Sequence, residues 1–286
     1  MINSKTSFLA LIGNPVDHSL SPIMQNAVLE HLKMDLVYLA LPCKDEDFEM
    51  VINTLKKINC KGLNITIPFK EKAFKLCDEI TPIARKVKAI NTLKLNSNGE
   101  WIGTNTDIEG FMHPLKNIDL KHKKSMVLGS GGAARSVIKG LINLDLSEIV
   151  IISRNQATQA NIINDFKDEI NIKGLCSDDE NVSVKISSSD LIVNTTPVGM
   201  NKLINAKYKF PFGINFWEPL TSKTIVYDLI YNPRPTELLK LSFDKGCKII
   251  DGSEMLIAQG AKSLEFWTDG LNIPIEIMKD SLKKYL

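Results

Sequence analysis

The chain has 286 residues, 35 Lys and Arg against 33 Asp and Glu, a formal net charge of +2, and 44% hydrophobic residues. This length makes one large domain or two ordinary ones and buries a core without disulfide or metal staples. The balanced charge argues against a dedicated nucleic-acid binder, which concentrates basic residues.

The apolar run 8–12 predicts a strand. Ser21-Pro22 then predicts a helix start, with Ser as N-cap and Pro at the first helical position, followed by an apolar face of Ile23, Met24, Ala27, Val28 and Leu32. Residues 36–41 predict a second strand. Leu63, Ile65 and Ile67 alternate with polar residues, the pattern of a half-buried strand that Pro68 stops. Thr81-Pro82 repeats the cap-and-proline start. A strand at 126–128 runs into a glycine turn and then a helix with apolar positions Val137, Ile138, Leu141 and Leu144. A strand at 149–152, a helix to about Phe166, strands at 191–193 and 225–227, a helix opened by Pro235, a strand at 248–250 and a helical segment from Ser253 complete the order. Strands separated by helices predict an α/β protein of βαβ units with a largely parallel sheet. Two such blocks fit the length, with the boundary near residues 108–120.

Cys43, Cys60, Cys77, Cys176 and Cys247 are odd in number and form no C-x-x-C pair, which predicts reduced thiols. His18, His31, His113 and His122 form no H-x-x-x-H pair, so no metal site is expected. The run 8–12 is too short for a membrane span and too poor for a signal peptide, so a cytoplasmic protein is expected.

Gly129-x-Gly131-x-x-Ala134 follows a strand and opens a helix, the context in which this spacing binds a dinucleotide. The first glycine permits the tight turn, the second lets backbone approach a pyrophosphate, and Ala134 keeps the helix close to the strand. A glycine-rich turn without a ligand is the alternative. The next strand ends in Ser153-Arg154-Asn155, with no carboxylate for a ribose 2′-OH and a guanidinium suited to a 2′-phosphate. NADP is therefore the predicted cofactor.

The first block carries polar groups at its strand ends. Asn64 and Thr66 share one strand face, Lys70 follows, and Asn91, Asn105, Asp107, Ser19 and Ser21 lie at turns. Together they suit a small ligand with several hydroxyls and a carboxylate. Taken singly they read as turn formers, helix caps and a surface lysine.

Ser19-Leu-Ser-Pro22, Asn64-Ile-Thr-Ile-Pro-Phe-Lys70, Ala89-Ile-Asn-Thr92, Gly103-Thr-Asn-Thr-Asp107, the Gly129 turn, Asn194-Thr-Thr-Pro-Val-Gly-Met200, Tyr227-Asp-Leu-Ile-Tyr-Asn-Pro233 and Asp251-Gly252 through Gln259 occur in this order. In order and spacing the chain resembles the shikimate dehydrogenase family. The resemblance implies reversible NADPH-dependent reduction of 3-dehydroshikimate to shikimate, on the route to chorismate and the aromatic amino acids. It implies an α/β substrate domain of residues 1–110 completed by 252–286, and a Rossmann-like NADP-binding domain of residues 111–251. Lys70 and Asp107 are the implied catalytic pair. Ser19 and Ser21 are implied to bind the substrate carboxylate, and Thr66, Asn91, Asp107 and Gln259 the ring hydroxyls, with Tyr231 lining the site. Gly129, Gly131, Gly132 and Ala133 are implied at the pyrophosphate, Ser153 and Arg154 at the 2′-phosphate, and Thr195, Met200, Gly252 and Met255 along the dinucleotide.

One departure is local: family members specific for NADP carry a second basic residue a few positions after the arginine, and here the segment continues Gln156-Ala157-Thr158. The competing readings are a quinate/shikimate dehydrogenase that uses NAD or both cofactors, and a non-catalytic dinucleotide-binding regulator, which has no need of the Lys70 and Asp107 pair. The expected partners are the small-molecule substrate and cofactor, with no nucleic acid and no membrane, in a monomer or homodimer. The aromatic segment 207–217 reads as a packed loop.

Overall fold

The computed structural model describes residues 2–58, 60–200 and 210–286. The chain divides into two compact units, one of Met1–Gly110 with Leu256–Leu286 and the other of Phe111–Met255.

The first unit is built on a six-stranded sheet in the order β2-β1-β3-β5-β6-β4. Its strands are β1 (Ser7–Gly13), β2 (Leu36–Pro42), β3 (Cys60–Ile65), β4 (Glu79–Ile80), β5 (Thr92–Leu95) and β6 (Trp101–Thr104). Helices α1 (Ser21–His31), α2 (Phe48–Leu55), α3 (Lys70–Leu76), α4 (Pro82–Val87) and α5 (Asp107–Met112) connect or follow them. β1 runs parallel to β2 and β3, whereas β5 is antiparallel to both β3 and β6. Leu9, Ala10 and Ile12 of β1 are wholly buried, as expected of a strand covered on both faces. The register sets Asn64 of β3 opposite Thr92 of β5, and Thr92 opposite Thr104 of β6. Because β5 is antiparallel to its neighbours, its first residue lies beside the last residues of β3 and β6. The side chains just beyond these three ends therefore gather at one edge of the sheet.

The second unit holds a wholly parallel sheet of β7 (Lys124–Leu128), β8 (Glu148–Ile152), β9 (Asn171–Leu175), β10 (Leu191–Asn194), β11 (Ile225–Asp228) and β12 (Lys248–Ile250). The crossover helices are α6 (Gly132–Asn143), α7 (Gln156–Phe166), α8 (Val182–Ser188) and α9 (Glu237–Asp244). The order is β12-β11-β10-β7-β8-β9. It reverses between β7 and β10, as in the doubly wound dinucleotide-binding fold, where ligands sit beyond the carboxyl ends of the strands at the reversal. Helices α10 (Ser253–Trp267) and α11 (Ile275–Leu282) end the chain.

The α/β class and the predicted strands of the second block agree with this architecture. Four local expectations need correction. Ser21 is the first helical residue of α1, not its N-cap, which is Leu20; the hydroxyl of Ser19 accepts the Ser21 backbone N–H at 3.2 Å. Thr81 precedes α4 without capping it, because its hydroxyl donates to Thr104 Oγ1 at 3.0 Å. Thr236, not Pro235, sets the start of α9, accepting the Leu239 N–H at 3.2 Å. β3 stops at Ile65 and is buried on both faces, with Leu63 and Ile65 in the cluster of Phe48 and Phe69 and with Gly62 and Asn64 against Trp267 and Ser263 of α10. Of the aromatic segment, residues 207–209 lie outside the described residues. Trp217 is wholly buried and donates its indole N–H to Pro211 O, and Phe210, Phe212 and Phe216 pack on the same cluster.

The first unit is closed by α10. Trp267 donates its indole N–H to Leu93 O at 2.7 Å, and its ring lies where a side chain at Gly62 would project. A Cβ at Gly62 would stand 2.2 Å from the indole nitrogen, so Gly62→Ala is expected to destabilise the chain by about 1–3 kcal/mol, as overpacking does. Urea unfolding checks this; a midpoint equal to that of the wild type would mean that the indole yields freely.

Candidate active site

Six predicted substrate residues of the first unit stand at strand or helix ends, and a seventh lies within α10. Ser19 precedes α1 and Ser21 opens it; Thr66 follows β3; Lys70 opens α3; Asn91 precedes β5; Asp107 opens α5; Gln259 lies on α10. Lys70 Nζ lies 2.5 Å from Asp107 Oδ2, with side-chain exposures of 14% and 6%. A buried ion pair needs its remaining valences satisfied. Asn91 Nδ2 donates to the other carboxylate oxygen of Asp107 at 2.9 Å and to Thr106 Oγ1 at 2.9 Å, and reaches Gln259 Oε1 at 3.5 Å. The Thr106 backbone N–H donates to Asn91 Oδ1 at 2.8 Å, which fixes the orientation of the carboxamide.

Behind Asn91 lies a polar layer. Ser263 Oγ accepts from Asn64 Nδ2 at 2.9 Å, shares hydrogen bonds with Thr92 and Thr106 at 2.8 and 3.1 Å, and donates to Gln259 O at 2.9 Å. Tyr38 OH donates to Asn64 Oδ1 at 2.7 Å. Among the described residues the hydroxyls of Ser21 and Thr66 donate to nothing, and Ser19 Oγ only accepts. Lys70, Asp107, Asn91 and Gln259 are thus directly linked. Ser19, Ser21 and Thr66 are not bonded to them and offer free donors near the α1 N-terminus and the end of β3.

In the second unit, Gly129 follows β7 with φ +107°, a conformation that L side chains rarely adopt, and a Cβ there would lie 2.6 Å from Thr195 Oγ1. A Cβ at Gly131 would meet nothing within 4 Å, which leaves open space over the N-terminus of α6, where Gly132 and Ala133 form the first turn. This open backbone cradle fits a pyrophosphate. Thr195 donates both its backbone N–H and its hydroxyl to Leu128 O, at 3.0 and 2.6 Å. Ser153 is buried and donates to Asn155 O at 3.0 Å, whereas Arg154 is exposed and has no ion-pair partner among the described residues. Thr158, four residues after Arg154, shares a 2.6 Å hydrogen bond with Ser130. Gly252 approaches the β11 end so closely that a Cβ would lie 2.0 Å from Leu229 O. Met200 and Tyr231 are half-buried, and Met255 is a core residue packed in the cluster that contains Tyr227. Tyr231 belongs to this second unit.

The family model described as the shikimate dehydrogenase substrate binding domain matches residues 11–93, and that described as the shikimate 5′-dehydrogenase C-terminal domain matches 252–283. A protein of Prochlorococcus marinus (strain AS9601) named shikimate dehydrogenase (NADP(+)) is 65% identical, with 100% of both chains covered. The chain belongs to the shikimate dehydrogenase family. The crystal structure of the shikimate dehydrogenase from Aquifex aeolicus aligns with a TM-score of 0.87 at 32% identity, covering 99% of this chain and 100% of that one. A shikimate dehydrogenase solved in complex with NADP+ aligns with a TM-score of 0.85 at 36% identity, covering 100% and 97%.

To the residues named from the sequence, Asn64 among them, the structure adds Thr92, Thr106 and Ser263 in the hydrogen-bonded layer. Ser263 had a visible signal, since it lies one helical turn from Gln259 on the same face. Asp228 had a weaker one, a carboxylate at the end of an apolar strand. It is wholly buried and accepts hydrogen bonds from Asn194 Nδ2 at 2.9 Å, Ile230 N at 3.2 Å and Thr236 Oγ1 at 2.8 Å.

Burial pushes the Asp228 carboxyl from the ordinary 3.8 to about 7 against the pull of these donors. Between those two values the folded chain keeps a proton that the unfolded chain has released, so this group's contribution to stability declines as pH rises through the window. Asp228→Asn removes the titration. The variant's stability relative to wild type is expected to climb as pH rises from the ordinary value to about 7 and then to level off. Denaturation midpoints across that range check it; a flat difference would show that the carboxyl is not raised.

Proposed function

We propose that this chain catalyses the reversible NADPH-dependent reduction of 3-dehydroshikimate to shikimate, on the route to chorismate and the aromatic amino acids. It is an oxidoreductase acting on a CH–OH group. The observation that carries the reading is the buried Lys70–Asp107 pair, anchored by Asn91, in a chain 65% identical over its full length to an NADP-dependent shikimate dehydrogenase. A non-catalytic dinucleotide binder has no use for such a pair.

In this reading the first unit binds the substrate. Ser19 and Ser21 donate to the carboxylate, favoured by the positive end of the α1 dipole. Thr66, Asn91, Asp107 and Gln259 read the ring hydroxyls. The second unit holds NADP, with its pyrophosphate at Gly129, Gly131, Gly132 and Ala133 and its 2′-phosphate at Arg154 beside Ser153. Thr195, Met200 and Gly252 lie along the dinucleotide, and Met255 supports them from the core. The bound cofactor supplies the hydride. As the carbonyl carbon is reduced, charge develops on its oxygen; the Lys70 ammonium stabilises that charge and the Lys70–Asp107 pair provides the proton that completes the alcohol. Asn91 keeps the Asp107 carboxylate turned toward Lys70, so the ammonium is oriented before substrate arrives.

No helix among the described residues is long and apolar enough to cross a membrane. A cytoplasmic setting, with the five cysteines reduced, and a monomeric or homodimeric state belong to the same reading.

The reading is tested by kcat/KM for shikimate and for quinate, each with NADP and with NAD. The shikimate and NADP combination is expected to be the highest; a preference for quinate with NAD would assign the chain to the broader quinate/shikimate enzymes. Lys70→Ala is expected to lower kcat by at least about 100-fold, the scale of a lost general acid, while shikimate affinity changes far less. Turnover close to that of the wild type would remove Lys70 from the chemistry.

A further inference from the structure

Asp228 is a carboxylate with no ion pair among the described residues, sealed from solvent at the end of a central strand. Such a group destabilises the fold whenever it is ionised. Its surroundings nevertheless serve the ionised form, since all three of its hydrogen-bond partners donate.

The three partners belong to different segments. Asn194 ends β10, Ile230 lies two residues past the end of β11, and Thr236 is the N-cap of α9. Asn194 passes the contact on: its Oδ1 accepts the backbone N–H and the hydroxyl of Thr196 at 3.0 and 2.7 Å, which folds the start of the 195–200 turn. The neighbouring Thr195 is held to Leu128 O, the residue before Gly129, and Thr196 Cγ2 lies 3.2 Å from where a Gly129 side chain would begin. On the other side, Asn194 O accepts Leu229 N at 3.1 Å, and Ile230 O accepts Gly252 N at 3.1 Å. The glycine turn, the 195–200 turn and Gly252 are thus linked through the end of β10 and the Asp228 loop.

We propose that Asp228 is the positioning residue of the dinucleotide site, its carboxylate holding the 195–200 turn and Gly252 in register with the Gly129 turn. It touches neither substrate nor cofactor and acts through Asn194 and the Ile230 backbone. The proposal rests on the reading that the second unit holds NADP. It accounts for a stability cost that packing alone would have removed.

The other charged group acting on Asp228 is Asp251, which raises its pKa and is itself paired with Arg234 at 2.5 Å; the groups facing it from β10 and α9 are the neutral Asn194 and Thr236. Asp228→Asn keeps the shape, still accepts from Asn194 and Ile230, and removes the charge. NADPH binding, followed by its fluorescence, is expected to be about tenfold weaker in this variant at pH values above 8, the scale of a lost charge-assisted hydrogen bond. The two proteins are expected to converge as pH falls below about 7, where wild-type Asp228 is protonated. Titration of the cofactor's own 2′-phosphate is common to both and cancels in the comparison. A residue that served stability alone would shift the denaturation midpoint and leave the affinity ratio at unity.

Asn194→Ala supplies an independent variant that leaves Asp228 bonded to Thr236 and Ile230. It is expected to weaken NADPH binding in the same direction, and the double variant to be no worse than the poorer single one, because the two act in series. Equal NADPH affinity of wild type and Asp228→Asn at every pH, or full additivity in the double variant, overturns the proposal. Failure of wild type to bind NADPH overturns the cofactor reading and this proposal together, whereas wild-type binding with no Asp228 effect overturns this proposal alone.

Discussion

A lysine ammonium held 2.5 Å from a carboxylate, with both nearly out of solvent, is the arrangement on which the first unit is organised. Removing two charges from water costs several kcal/mol per ion, and their attraction offsets this only when the remaining donors and acceptors are satisfied. Here Asn91 satisfies the second oxygen of Asp107, Thr106 satisfies Asn91, and Ser263, Thr92 and Asn64 extend the network to Tyr38 in the core. These side chains come from three adjacent strand ends, two helix starts, β2 and helix α10. The antiparallel insertion of β5 between β3 and β6 is what makes the meeting possible, because a parallel strand would have placed Asn91 at the far edge of the sheet.

The second unit solves a related problem with other means. Parallel strands end together, so their carboxyl ends crowd one edge with loops and exposed backbone. Gly129 takes the turn that other residues would enter only under strain, and Gly252 permits backbone to pass close to Leu229 O. Asp228 joins the loops that remain. Both units therefore use a buried carboxylate as an anchor. In the first it is matched by a cation, in the second by three neutral donors.

Legibility in the sequence differed between the two units for a physical reason. In the second, apolar strands and amphipathic helices of ordinary length alternate, and periodicity located nearly all of them; β9, broken by Lys173 and Gly174, and the seven-residue α8 escaped it. In the first, α2, α3, β4, β5, β6 and α5 are two to eight residues long, too short for a period to register. The apparent alternation in β3 was also misleading, because alternation implies one wet face and β3 has neighbours and cover on both. Ser21 and Thr81 carried the composition of helix caps, yet their side chains do not cap: Ser21 is already helical, and Thr81 donates to Thr104. Composition records a preference for capping, and competing hydrogen bonds decide whether it is exercised.

By itself the sequence determined the α/β class, the glycine turn with its missing acid and its arginine, and, through ordered motifs, the family to which the chain belongs. These are local properties: a strand's period, a turn's need for a residue without a side chain, a guanidinium where a carboxylate would repel phosphate. Only the tertiary structure decided how closely Lys70 faces Asp107, that Asn91 and Ser263 stand behind them, and that Asp228 ties the end of β10 to both ends of the 229–236 connection. Those contacts join residues up to 199 positions apart, as between Asn64 and Ser263, and they depend on strand order and register. Neither order nor register is written in any single segment, because each strand acquires its neighbours only when the whole sheet closes.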